Sequence, residues 1–259
     1  MRARNLIRAL AIPAACGITL AVSTSAQAHY VYYAEMVWAN ADSSLCLWNY
    51  SETSHGSTGG GYFKGQSRSQ ADIDANPLDC ILGWERNTGK LAEGMIIYKW
   101  YDGDWLICNR TDQWYYNSAP AATFELRWTA PSGGMCGAGY YGLINLAGMQ
   151  EGNQWVGWDV TNWSGYHWLP DNSLAASGSD APAEPEWVKG KSLNKSPAKL
   201  PKADSSGKPV KDRNGKLVMV DATLSKPTRI NGTTGGIRTT SVDEKGNVTE
   251  TVTVGLGAS

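Results

Sequence analysis

All 12 Trp, 12 Tyr and both Phe of this chain lie between His29 and Trp187, and the 72 residues after Trp187 contain no aromatic side chain. Aromatic residues bury the most area per residue, and a segment without them has little from which to build a core. The sequence therefore divides into one ordered, aromatic-dense region and a tail of different character. Rings of the same kind form flat binding faces wherever they stay exposed.

The first 28 residues have the form of a secretory signal: Arg2, Arg4 and Arg8, then an apolar stretch from Leu10 to Val22, then Ala26-Gln27-Ala28 as a small-residue cleavage site. That stretch is too short to span a bilayer, and no later segment approaches the roughly 18 apolar residues of a membrane helix. The expectation is a secreted protein, extracellular or wall-associated, without a membrane segment. Cys16 leaves with the signal. Cys46, Cys80, Cys108 and Cys136 remain, spaced by 34, 28 and 28 residues. An even number in an exported chain favours two disulfides, with three pairings open, and no pair has the C-x-x-C spacing of a zinc site.

The near-neutral total charge conceals an asymmetry. His29 to Val188 carries 7 Lys+Arg against 18 Asp+Glu, a net of −11; Lys189 to Ser259 carries 13 against 6, a net of +7. Specific nucleic-acid binding by the aromatic region is disfavoured, because such an excess of acid repels phosphate. The basic excess concentrates in residues 189–216, which suit an anionic polymer or a solvated linker.

The aromatic region, residues 29–170, reads as all-β: a small disulfide-stabilised sandwich or barrel. Ile96 to Tyr101, Asp102-Gly103, then Asp104 to Cys108 is a two-residue hairpin, since Asp-Gly supplies the positive φ of a type I′ turn. A second hairpin is expected from Tyr140–Ala147 and Trp155–Val160 through Gly148 to Asn153. Val31–Trp38, Leu45–Tyr50, Gln113–Tyr116 and Thr123–Thr129 read as further strands, and one helical turn is expected from Ser69. Residues 171–216 form a Pro/Lys-rich basic linker, and 217–259 a weakly ordered, low-complexity β tail. Asp204-x-x-Gly207, Asp212-x-x-Gly215 and Asp243-x-x-Gly246 repeat one turn signature, in which Asp caps backbone amides and Gly takes the left-handed position.

No G-x-S-x-G elbow, H-E-x-x-H or P-loop is present. Asp72 to Asn76 begins like a calcium loop, but Pro77 replaces the required Gly and Gly83 the bidentate Glu. Six Glu offer carboxylate pairs with no distinguishing spacing. Cleavage after Ala28 leaves His29 as the new N-terminus, where its amine and imidazole chelate one Cu(II), a metal that favours nitrogen ligands. With His167 as second ligand, or His55 as the alternative, the arrangement resembles the histidine brace of lytic polysaccharide monooxygenases. What the resemblance implies is a copper cofactor on His29 and His167, in an oxidative polysaccharide enzyme or a copper carrier. It covers the mature N-terminus alone.

Trp155, Trp158, Trp163, Tyr166 and Trp168 fall within 14 residues, interleaved with Asn153, Gln154, Asp159 and Asn162. Rings stack on sugar C–H faces while amides and acids bond the hydroxyls, so the cluster suits a polysaccharide. Trp155 and Trp158 point to opposite faces of a strand, and part of the cluster must be core. The sequence therefore points to a secreted, non-catalytic binder of cell-wall or extracellular polysaccharide. A copper protein built on His29 and a secreted protein-binding inhibitor or effector are the other classes it allows.

Overall fold

The computed structural model describes residues 30–42, 44–55, 60–71, 80, 82–132, 136–169, 198–228 and 236–255. Every regular element among them is a strand. Alternation defines β1 (Tyr30–Ala39) and β2 (Leu45–His55): Leu47, Asn49, Ser51 and Thr53 are wholly buried, while Trp48, Tyr50 and Glu52 between them keep part of their surface. β3 (Gly60–Ala71) has no counterpart in the sequence reading, because beside Phe63 its inward positions are Gly65, Ser67 and Ser69 rather than apolar residues. It runs through Ser69, where a helical turn was expected; residues 72–79, with the calcium-like Asp72–Asn76, lie outside the described residues. Then come β4 (Leu82–Gly83), β5 (Leu91–Tyr101), β6 (Asp104–Arg110), β7 (Tyr115–Tyr116), β8 (Thr123–Ser132), β9 (Gly139–Glu151), β10 (Gln154–Val156) and β11 (Thr161–Leu169). The C-terminal part adds β12 (Lys199–Pro201), β13 (Met219–Asp221), β14 (Ile237–Val242) and β15 (Val248–Gly255).

The β5–β6 hairpin turns at Asp102 and Gly103, with φ of 47° and 89°, as its sequence dictates. The β9–β10 hairpin turns later than expected. β9 continues through Gly148 to Glu151, and Gly152-Asn153 makes the turn.

Two large sheets result. Seven strands follow the order β1-β2-β3-β8-β15-β14, with β4 beside β3; six follow β10-β9-β5-β6, with β11 also on β9 and β7 also on β5. Neither closes on itself, which removes the barrel alternative. The main core combines Leu47, Phe63, Phe124, Leu126 and Val252 of the larger sheet with Leu91, Met95, Ile97, Leu143 and Met149 of the smaller. A polar seam runs through it. Asn49 donates to the Asn145 carbonyl at 3.0 Å, Asn145 donates to Asn49 Oδ1 at 2.8 Å, and Asn162 donates to the Asn49 carbonyl at 2.8 Å. Such a network tolerates one alignment of the sheets, because any slip leaves buried amides unpaired. The disulfides pair Cys46 with Cys80 and Cys108 with Cys136.

Among the described C-terminal residues, β14 and β15 belong to the seven-stranded sheet rather than to a separate meander. β15 pairs in parallel with β8 inside the seven-stranded sheet, while every other pair among the described strands is antiparallel. Glu250 fixes it there. Its buried carboxylate accepts from the amides of Ser118 and Ala119 at 2.7 and 2.9 Å and from Arg238 at 2.5 Å. Borrowed neighbours thus replace the aromatic core that this segment lacks. The three Asp-x-x-Gly turns form as read: the Oδ1 atoms of Asp204, Asp212 and Asp243 each accept two backbone amides at 2.8–2.9 Å.

Candidate functional site

The aromatic run of β11 and its surroundings occupy the face of the six-stranded sheet turned away from the main core. The register of β11 on β9 shifts between Trp163 and Tyr166, and this shift returns both rings, with Trp168, to one side. Trp163 packs edge-on against Tyr98 at 5.9 Å and Trp105 at 5.2 Å; Tyr140 meets Trp168 at 5.1 Å and Tyr166 at 6.0 Å. Trp155 sits apart, edge-on to Tyr116 at 5.6 Å. These T-shaped contacts are how rings fill a core.

The C-terminal part supplies the cover. Leu200, Ala222 and Leu224 pack on the rings, the Trp114 indole donates to the Ser225 carbonyl, and the Tyr116 hydroxyl donates to that of Thr228, both at 2.7 Å. Trp155 and Trp163 keep only 7% and 6% of their surface, so neither offers a ring face to a ligand. Trp158, Tyr166 and Trp168 remain half-buried.

A second aromatic face, not singled out in the sequence, lies on the outer side of the seven-stranded sheet. Trp48 and Tyr50 alternate with the inward Leu47 and Asn49, and cross-strand register places Ala34 beside Tyr50 and Tyr32 beside Glu52. Tyr32, Tyr50 and Trp48 form a row, with ring centroids 5.9 and 6.3 Å apart and interplanar angles of 33° and 36°. Unlike the T-shaped pairs on the other sheet, these rings lean the same way. Tyr32 is 45% exposed.

Long polar side chains border the row. Opposite Trp48, Tyr50, Glu52 and Ser54 on β2 stand Arg68, Gln66, Lys64 and Tyr62 on β3. Lys64 pairs with Glu52 at 2.5 Å; Gln66 and Arg127 both donate to the buried Glu125 carboxylate. Among the described residues Arg68 makes no ion pair; it donates to the Tyr50 hydroxyl and its charge acts on Tyr32 and on Asp243. One signal for this face was present in the sequence. In Tyr62-x-Lys64-x-Gln66-x-Arg68 the long polar residues alternate with Phe63, Gly65 and Ser67, the pattern of a strand with a solvated face.

Burial pushes the Tyr32 and Tyr62 hydroxyls up to about 12, with the Tyr50 and Glu52 charges adding to Tyr32 and the Arg68 charge opposing. Burial also raises Tyr50, against the pull of Arg68. All three hydroxyls therefore stay protonated at neutral pH, each able to donate and accept a hydrogen bond. A row of tilted, partly exposed rings edged by hydroxyls, amides and fixed charges can stack on sugar rings and bond their hydroxyls.

Of the expected metal ligands, His167 is half-buried on β11 and His29 lies outside the described residues. Among the described residues no three His, Cys, Asp or Glu gather to hold a metal, and no helix is long and apolar enough to cross a membrane. Comparison with known proteins finds no match among family models, curated proteins or solved structures.

Proposed function

We propose that the mature protein is an exported, non-catalytic β-sandwich module that binds cell-wall or extracellular polysaccharide on the outer face of its seven-stranded sheet. The observation that carries this reading is the row Tyr32–Tyr50–Trp48, with its tilted rings and its border of Lys64, Gln66 and Arg68. Export rests on the N-terminal signal and on two disulfides, which persist in oxidising compartments. The basic C-terminal segment adds affinity for anionic wall polymers: Lys202, Lys208, Lys211, Arg213 and Lys216 are all exposed.

Sedimentation of the mature protein with insoluble chitin, cellulose and purified cell walls tests the reading. Binding to at least one is expected, and Tyr32→Ala with Tyr50→Ala should weaken it at least about tenfold, the ~1.4 kcal/mol of lost stacking. No binding to any of the three, or binding indifferent to the double substitution, would overturn it.

A further inference from the structure

We propose, on the basis of the polysaccharide site just described, that the sugar received by the row Tyr32–Tyr50–Trp48 is acidic: a hexuronate whose carboxylate Arg68 holds. Arg68 reaches the middle of the row. It is the Cα partner of Trp48, and side chains directly opposite on paired strands stand about 5 Å apart at Cβ. Its guanidinium donates to the hydroxyl of Tyr50, the central ring, and its charge is felt by the Tyr32 hydroxyl beyond. A sugar lying on Tyr50 or Trp48 therefore has this cation at its edge.

The other cations of the face are taken. The outward charges of β1, β2, β3 and β8 are Lys64, Arg68 and Arg127 against Glu52 and Glu125. Glu52 closes on Lys64 at 2.5 Å, and Glu125 closes on Arg127. Asp243, the further acid on which the Arg68 charge acts, spends its oxygens on its own turn. Its Oδ1 accepts the amides of Lys245 and Asn247, and its Oδ2 the Asn247 side chain, at 2.8–2.9 Å. Arg68 is thus the cation of this face that has no carboxylate of its own among the described residues.

Two N–H donors at the same place also lack an acceptor. Arg68 Nε and Trp48 Nε1, on directly paired residues, are shielded from solvent and make no hydrogen bond among the described residues. A shielded donor without an acceptor is a cost that a ligand oxygen can relieve. The Arg68 side chain as a whole stays partly exposed, which leaves a ligand a way to it.

A carboxylate fits this gap better than a sugar hydroxyl. It offers two acceptor oxygens to the planar guanidinium fork, in hydrogen bonds that charge makes shorter and stronger than neutral ones. In a hexuronate the carboxylate stands where a neutral hexose carries its terminal hydroxymethyl group. It projects from the edge of the ring, so the C–H face stays free to lie on Tyr50 and Trp48.

Calorimetric titration of the mature full chain with soluble polygalacturonate, with its methyl ester and with dextran sulfate tests the assignment. The ester keeps the backbone and removes the charge; dextran sulfate keeps a charge and removes the carboxylate. The native protein should bind the acid at least about tenfold more tightly than the ester. Arg68→Gln should lose that preference and bind the ester within about twofold of native. Melting curves establish that the variant folds, and Arg68→Met, which keeps the apolar stem, replaces it if it does not. Equal affinity for acid and ester, a preference that survives the loss of Arg68, or tighter Arg68-dependent binding of dextran sulfate overturns the uronate. Equal binding of acid and ester that Tyr32→Ala with Tyr50→Ala abolishes would overturn it and leave the polysaccharide site standing. Failure to bind these polymers, chitin, cellulose and cell walls alike would remove both.

Discussion

Gly207→Ala is expected to lower the unfolding free energy by about 3 kcal/mol or more, while Gly215→Ala, in the sister turn, costs only about 1 kcal/mol. Both glycines close an Asp-x-x-Gly turn and both hold left-handed backbone, with φ of 80° and 77°. The conformational cost of a Cβ is therefore the same at the two positions. Their surroundings differ. A Cβ at Gly215 meets nothing within 4 Å, whereas one at Gly207 would lie 2.5 Å from the Cys136 carbonyl oxygen and 2.1 Å from Lys99 Nζ. Lys99 cannot swing aside without loss, because its buried ammonium donates to that same Cys136 carbonyl and rests 5.8 Å from the Tyr141 ring. Urea unfolding of the two variants measures the difference. Equal, small effects would mean that the turn at Gly207 does not seat against the β5 strand and the Cys108–Cys136 bridge.

Glu93→Gln is expected to stabilise the protein at neutral pH and to remove a pH dependence that the native chain carries. Glu93 is wholly buried between the sheets, and neither carboxylate oxygen makes a hydrogen bond of normal geometry. Desolvation holds its pKa well above the ordinary 4.5; the nearby Asn145 amide and Ser67 hydroxyl pull it back in part, and the Glu125 charge raises it further. In the unfolded chain the same group ionises near its ordinary value. The folded state therefore binds the Glu93 proton more tightly, and the contribution of Glu93 to stability is greatest below about pH 4.5 and falls as pH rises toward its folded pKa. Each unit of the shift corresponds to about 1.4 kcal/mol. The glutamine variant never ionises, so its melting temperature should exceed that of the native protein at pH 7 and converge with it in acid. A variant that melts below the native protein at pH 7 would show that the ionised carboxylate is stabilised, contrary to this account.

Strand residues with a two-residue period or an Asp-Gly turn were legible in the sequence because their signals are local. The β5–β6 hairpin needs only Asp102-Gly103 to form, and each Asp-x-x-Gly turn carries its own capping group. β3 carried only the alternation of its outer polar residues as a signal, since Gly65, Ser67 and Ser69 on its inner side face a core in which Asn49, Asn145 and Glu93 supply the partner surface. The fate of the β11 rings was hidden for a related reason. Burial of Trp155 and Trp163 depends on Leu200, Ala222 and Leu224, which arrive from a segment whose own composition promised no core. The parallel pairing of β15 with β8 joins residues more than 120 positions apart, and no local pattern encodes it. The row Tyr32–Tyr50–Trp48 combines two strands that each read plainly, but their register, which aligns the rings, emerges only on pairing.

The most direct measurement compares the two aromatic faces on the same ligand: binding isotherms on purified cell walls for Tyr50→Ala and for Trp168→Ala, each checked for folding by its melting curve. A loss of at least about tenfold in affinity with Tyr50→Ala, and native affinity with Trp168→Ala, is the result this account predicts. The reverse pattern would return the binding face to the six-stranded sheet and contradict it.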